Sequence, residues 1–201
     1  MLYILGYWLV WLIARFLFRF RVEGNRNIPR GGAIIAPNHV SYWDPPLVGA
    51  AIKGYGIYFM AKKELFRFPI FGMILKMVHT FPVDRGKQDI FAFKEAIRIL
   101  NGRKSLVIFP EGGRGKERRL KPPLPGVAWL AHKTGLPVVP TLIVNTYRAK
   151  SFPRVTVRFG SPMYFQTNQA ESGKADYYNF ARKVMEEILR LDREGQYRFR
   201  N

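Results

Sequence analysis

His39 and Asp44 stand five positions apart in Asn-His-Val-Ser-Tyr-Trp-Asp, residues 38–44, directly after the apolar run Gly-Ala-Ile-Ile-Ala-Pro at 32–37. An imidazole beside a carboxylate is a simple general base: the acid fixes the tautomer through one ring nitrogen and leaves the other free to take a proton. On one continuous helix, residues five apart are rotated by about 140° and would not share a face. The flanking residues suggest another route. His39 leaves the end of an apolar run, whereas Asp44 precedes Pro45 and Pro46. Aspartate is favoured as a helix N-cap and proline at the first helical position. The turn from Val40 to Trp43 could then fold the two side chains together. The plainer alternative is that Asp44 only caps a helix and His39 only fills space.

Two further segments bring reactive types to the ends of apolar runs. Phe-Pro-Val-Asp-Arg-Gly at 81–86 offers Arg85, and Phe-Pro-Glu-Gly-Gly-Arg-Gly-Lys at 109–116 offers Glu111, Gly112, Gly113 and Arg114. Arginine forks suit phosphate, and glycines let backbone amides approach a ligand. Taken singly, Arg85 is a solvated charge, the glycines a tight turn and Arg114 a member of a basic loop. Together they gain meaning if all three runs are strands, because the carboxyl ends of strands border the ligand crevice in open α/β sheets.

The pattern of the chain supports that arrangement. Runs at 33–36, 57–61, 79–83, 105–109, 138–144 and 154–159 read as strands. Segments at 46–52, 69–78, 89–100 and 126–134 read as helices, and 175–195 as a C-terminal amphipathic helix ending at Gly195. Alternation of this kind implies a mixed, largely parallel α/β sheet flanked by helices. The 201 residues suffice for one domain with a substantial core.

Thirty-three Lys and Arg oppose fourteen Asp and Glu, for a net charge of +19, so an anionic partner is expected: nucleic acid, phospholipid headgroups or an acidic carrier. The absence of cysteine excludes disulfides and a thiolate nucleophile, and His39, His79 and His132 are too scattered for a zinc motif. The first segment decides among the partners. Residues 2–14 carry no charge, and Arg15, Arg19 and Arg21 follow. The clean run spans about 20 Å as a helix, short of the roughly 30 Å of a hydrocarbon core. A signal peptide would place its basic residues before the apolar run. Tyr7, Trp8 and Trp11 suit a membrane–water interface. Arg15 and Arg19, four apart on a helix, could reach anionic headgroups. Residues 1–21 are therefore expected to enter one leaflet or lie on its surface, with 22–201 as the α/β domain; a core helix is the alternative.

Residues 38–44 match in full the Asn-His-x-Ser-x-x-Asp signature of the glycerolipid acyltransferases. Phe-Pro-Val-Asp-Arg resembles the phosphate-binding block of that family, Phe-Pro-Glu-Gly-Gly-Arg-Gly its Phe-Pro-Glu-Gly-Thr-Arg-Ser block, and residues 138–145 its proline-containing fourth block. The resemblance covers roughly residues 22–165 and is greatest to the bacterial lysophosphatidate acyltransferases. It implies transfer of an acyl chain from acyl-CoA or acyl carrier protein to the free hydroxyl of lysophosphatidic acid, with glycerol 3-phosphate or another lysolipid as the alternative acceptor, and with no cofactor and no acyl-enzyme. His39 would be the base and Asp44 its orienting acid. Arg85 and Arg114 would hold the acceptor's phosphate, and Glu111 and Gly112 would help place it. The resemblance also implies the cytoplasmic face of a bacterial inner membrane, where acyl donors are made. Gly113 and Gly115 replace the family's Thr and Ser, which removes two hydroxyls and should loosen the loop. Lys121 is separated from Gly126 by Pro-Pro-Leu-Pro, a departure from the family's Lys-Gly pattern that sets Lys121 aside.

Rival chemistries fit less well. Ser41 has no Gly-x-Ser-x-Gly elbow, which argues against an esterase, and Gly-Arg-Gly-Lys at 113–116 lacks the first glycine and the Ser or Thr of a phosphate loop. RNA binding would suit the charge, but many of the aromatics lie in the apolar N-terminal run, which suits lipid better.

Overall fold

The computed structural model describes residues 2–52, 56–84, 89–116, 118–166 and 173–199, without the side chains of 2–7, 9 and 10. Nine strands are described: β1 (Arg21–Glu23), β2 (Ile34–Pro37), β3 (Ile57–Lys62), β4 (Thr80–Val83), β5 (Ser105–Val107), β6 (Arg119–Leu120), β7 (Val138–Val144), β8 (Thr156–Phe159) and β9 (Arg198–Phe199). The helices are α1 (Leu2–Leu17), α2 (Asp44–Ala51), α3 (Pro69–Met77), α4 (Ile90–Asn101), α5 (Gly126–Thr134) and α6 (Lys174–Arg190).

Seven strands form one sheet in the order β1-β8-β7-β2-β5-β3-β4. β7, β2, β5, β3 and β4 are parallel, whereas β8 pairs antiparallel with β7 and β1 runs parallel to β8. The sheet is thus mixed and largely parallel, as the alternation of runs predicted. β2 and β7 are buried at every position, because helices cover both faces, so they read as unbroken apolar runs. Successive residues alternate between two cores. Ile34 and Leu142 meet α4, α5 and α6 on one face, and Ile35 and Ile143 meet α1 and α2 on the other.

Several elements differ from expectation. β1 was not anticipated, since Arg21 and Glu23 give it no apolar signal; it is a short edge strand held by backbone pairing to β8. α6 ends at Arg190 rather than Gly195. There Arg158 Nη1 donates to the Leu191 carbonyl at 3.1 Å, and the chain turns through Gly195 (φ +60°) to pair β9 with β6.

The N-terminal helix is half inside the domain. Ala14, Phe18 and Phe20 are buried in the same core as α2, and the Phe18 carbonyl accepts from Val155 N at 2.9 Å. The division expected between residues 21 and 22 therefore falls within a shared core. α1 also stops at Leu17, so Arg19 is not one helical turn from Arg15. The burial of Phe18 and Phe20 turns the chain there, with Arg19 outward at φ +42°. Trp8, Leu12, Arg15, Phe16 and Leu17 are exposed, and Trp11 is half-buried against the core. The side chain of Tyr7 lies outside the described residues.

Candidate active site

Because β2 and β5 are adjacent and parallel, the segments that follow them emerge side by side at one rim of the sheet. The crossover from β2 passes through α2 on one face, and that from β5 through α5 on the other. Such a divergence opens a crevice between the two strand ends. His39 lies two residues past β2, and Glu111 lies four past β5.

The turn between His39 and Asp44 brings the two side chains together, as the flanking residues suggested. His39 Nδ1 and Asp44 Oδ2 are 2.9 Å apart, with His39 7% exposed and Asp44 fully buried. Asp44 does not cap α2, although it opens that helix. Its Oδ2 turns back to accept from Val40 N and Ser41 N, each at 2.7 Å. The carboxylate therefore organises the preceding turn rather than the free amides of its own helix, and Ser41 Oγ completes the turn by accepting from Trp43 N at 3.2 Å. An oxygen already taking two amide hydrogens can only accept from the ring, so Nδ1 carries the imidazole hydrogen and Nε2 keeps a lone pair. No described residue bonds to Nε2.

Other groups hold the imidazole in place. Phe109 stacks on the ring with centroids 4.1 Å apart. Asn38, fully buried, bonds both polar atoms of its amide to Ile143, donating to O at 3.2 Å and accepting from N at 2.7 Å, which ties the end of β2 to β7. The sequence offered Asn38 only as a motif letter, and Phe109 only as the end of an apolar run and the first letter of the Phe-Pro-Glu-Gly block.

Glu111, expected to help place an acceptor, faces inward. It is 5% exposed; Oε1 accepts from His39 N at 2.8 Å and Oε2 from Lys121 N at 2.9 Å. Desolvation raises its pKa from 4.5 to about 7, against the two amide bonds, which lower it. A carboxylate this buried needs partners for both oxygens, and the loop amides supply them. Gly112, at φ +65°, makes the turn that lets Glu111 point inward; a Cβ there would come within 2.4 Å of Leu124 Cδ1.

The expected looseness at Gly115 is not present. Its N–H donates to the His39 carbonyl at 2.7 Å, and a Cβ would lie 2.8 Å from the Arg119 carbonyl and 3.1 Å from Glu111 Oε2. Glycine at 115 allows the two loops to touch. Lys121, set aside on sequence, joins the same loop: its Nζ donates to the Gly113 carbonyl at 3.2 Å.

Arg114 lies exposed at the mouth. Its guanidinium sits 3.5 Å from the Tyr42 ring centroid, and Nη2 donates to the Tyr42 hydroxyl at 2.7 Å. Arg85 lies outside the described residues; the chain is described up to Asp84, just past β4, and resumes at Asp89. The structure thus brings His39, Asp44, Glu111, Gly112 and Arg114 to one rim.

The acyltransferase family model matches residues 19–144, and the chain belongs to that family. Among curated proteins, the chain is 32% identical over 162 residues to the 1-acyl-sn-glycerol-3-phosphate acyltransferase of Streptococcus pneumoniae, covering 80% of this chain and 60% of that protein. It is 36% identical over 121 residues to the enzyme of that name from Bacillus subtilis, covering 60% of each. The chain thus spans about three fifths of the length of these relatives. Among solved structures, the 1-acyl-sn-glycerophosphate (LPA) acyltransferase PlsC from Thermotoga maritima superposes with a TM-score of 0.70 at 24% identity, over 98% of this chain and 83% of that one. That likeness establishes the shared fold.

Proposed function

We propose that this chain transfers a fatty acyl group from an acyl thioester, acyl-CoA or acyl carrier protein, to the free hydroxyl of lysophosphatidic acid, giving phosphatidic acid. The observation that carries the reading is the 2.9 Å contact between His39 Nδ1 and Asp44 Oδ2, which leaves Nε2 with a lone pair at the strand-end rim. The names of the similar curated enzymes support the choice of acceptor.

In this mechanism, His39 Nε2 takes the proton of the acceptor hydroxyl as its oxygen attacks the thioester carbon. The C–S bond breaks, and the imidazolium returns the proton to the leaving thiolate. Asp44 holds the ring and stabilises its cationic form. General-base catalysis contributes about 10²–10⁴-fold, and positioning supplies much of the rest. Arg114 and Arg85 bind the acceptor's phosphate. Glu111 acts through the backbone of His39 and Lys121, and Gly112 makes the turn that allows this.

Membrane contact through α1 completes the reading, with the donor on the cytoplasmic side. Sixteen residues of helix span about 24 Å, and among the described residues no helix is long and apolar enough to cross a membrane. Exposed Trp8, Leu12 and Phe16, with Arg15 beside them, suit a helix lying in one leaflet. Removing residues 1–10 leaves Ala14, Phe18 and Phe20 in the core and should weaken recovery with membranes; unchanged partitioning would remove α1 from the proposal.

The catalytic test is a donor-and-acceptor panel followed by mass spectrometry. Thioester should be consumed only when lysolipid is present, and His39→Ala should abolish turnover while the protein stays folded. Free fatty acid released without acceptor would indicate an esterase instead.

A further inference from the structure

Helix α3 is unusual among the elements flanking the sheet. Of its nine residues only Gly72 is buried, although the segment is almost wholly apolar. Gly72 lets α3 sit against the preceding 3-10 turn, Lys63–Arg67, where a Cβ would lie 2.9 Å from the Phe66 carbonyl. Phe68 is 65% exposed, Ile70 73% and Met73 57%. Leu65, Phe68, Pro69, Ile70, Phe71 and Ile74 line an open, wholly apolar groove of about 560 Å³. Isolated exposed apolar residues are ordinary; a continuous exposed patch marks an interaction surface.

The topology places this patch at the catalytic rim. The 3-10 turn follows β3 directly, and β3 runs parallel to β5 and β4, so the turn and the start of α3 leave from the same edge as His39 and Glu111. Lys63 pairs with Asp84 at the end of β4, which fixes the turn to that edge. α1 ends at the same rim from the other side: β1 runs opposite to β7, and Phe18 meets Trp43 of the catalytic turn with ring centroids 5.1 Å apart. The catalytic rim therefore lies between two exposed apolar surfaces.

Charge selects the occupant. Residues 62–77 carry Lys62, Lys63, Arg67 and Lys76 against the single acid Glu64. No described carboxylate lies within ion-pair distance of Arg67 or Lys76. Apolar and aromatic side chains with cations beside them fit an anionic lipid surface. A second copy, also at +19, would oppose cations to cations.

We propose that the turn Lys63–Arg67 and helix α3 form a second membrane-contact surface, in which Phe68, Ile70 and Phe71 enter an anionic leaflet and Arg67 and Lys76 meet its headgroups. With α1 on the other side, the leaflet then lies across the rim that carries His39. This inference rests on the lipid-modifying reading above and extends it to how the site meets its acceptor.

The chain contains no cysteine, so one introduced thiol reports one place. Ile70→Cys carries a fluorophore that shifts to the blue in apolar surroundings. Lys133→Cys, at the end of α5 that leads into β7 on the opposite rim, is the control. On phosphatidylglycerol-containing vesicles, the label at 70 should shift to the blue and be quenched by lipid-borne quenchers, and the label at 133 should not change. In the full chain, replacing Phe68, Ile70 and Phe71 together by serine should weaken vesicle partitioning at least tenfold, at about an order of magnitude for each fully buried side chain lost. Turnover of a soluble short-chain lysolipid should not change. A label at 70 that stays unshifted on vesicles that do sediment the protein overturns this proposal and leaves the α1 contact standing. No sedimentation of the unmodified protein overturns membrane contact altogether. A shift produced by acyl carrier protein, or by raising protein concentration without lipid, also overturns the proposal in favour of a protein partner.

Discussion

The His39–Asp44 turn at 38–44 and the turn-and-helix segment at 63–77 leave the same rim of the sheet and are built in opposite ways. In the first, Asp44 Oδ2 binds one ring nitrogen and two amides, and Glu111 binds two more amides from different loops. In the second, one glycine is buried and Phe68, Ile70, Phe71, Met73 and Ile74 are exposed. A buried network of this kind fixes a base in one position and tautomer without outside help. Among the described residues, none covers the outward apolar side chains of that segment. The contrast separates what the chain organises by itself from what it leaves for an external surface.

The sharpest way to break the comparison is within the network. Asp44→Asn keeps an acceptor for Val40 and Ser41 but replaces the charge facing His39. We expect kcat to fall about 10²–10⁴-fold with vesicle binding unchanged. Steady-state kinetics together with sedimentation checks both. Near-normal turnover would mean that the contact is only a turn-former.

Glu111 gives a smaller, pH-dependent effect. Its pKa rises from 4.5 to about 7 on folding, so between those values the folded state holds a proton that the unfolded state has lost. This group's contribution is complete below 4.5 and is lost as pH rises through 7, by about 3 kcal/mol. Glu111→Gln does not titrate, and its amide NH₂ faces a backbone N–H, which costs about 1–3 kcal/mol. Denaturant unfolding should therefore show the wild type ahead at low pH, with its lead shrinking as pH rises. A constant gap would mean that Glu111 is better solvated than its burial implies.

Much of this was legible in the sequence, for a physical reason. Strands buried on both faces must be apolar throughout, so β2 and β7 stood out as runs, and the residues just beyond β2 were natural candidates for a crevice. Residues whose role depends on distant partners were harder to read. The inward turn of Glu111 depends on amides 72 and 10 positions away. The need for glycine at 115 comes from the Arg119 carbonyl and the Glu111 carboxylate. β1 is polar and exists because β8 pairs with it. The end of α1 at Leu17 follows from the burial of Phe18 and Phe20, which a helical repeat does not encode.

The smallest effect we expect lies at the boundary between the two kinds of surface. Tyr42 is exposed and belongs to the turn at 38–44, yet its ring and hydroxyl hold Arg114, 72 residues away in the Glu111 loop. It orders the guanidinium before an anion arrives, so removing it acts on binding rather than on the base. An exposed cation–π contact contributes about 0.5–1 kcal/mol, so Tyr42→Ala should raise KM for a phosphate-bearing acceptor about two- to fivefold with kcat unchanged. Tyr42→Phe keeps the ring and should recover part of that loss. An equal fall in kcat would show that Tyr42 supports the turn holding His39, and would place it with the closed network rather than with the open surface.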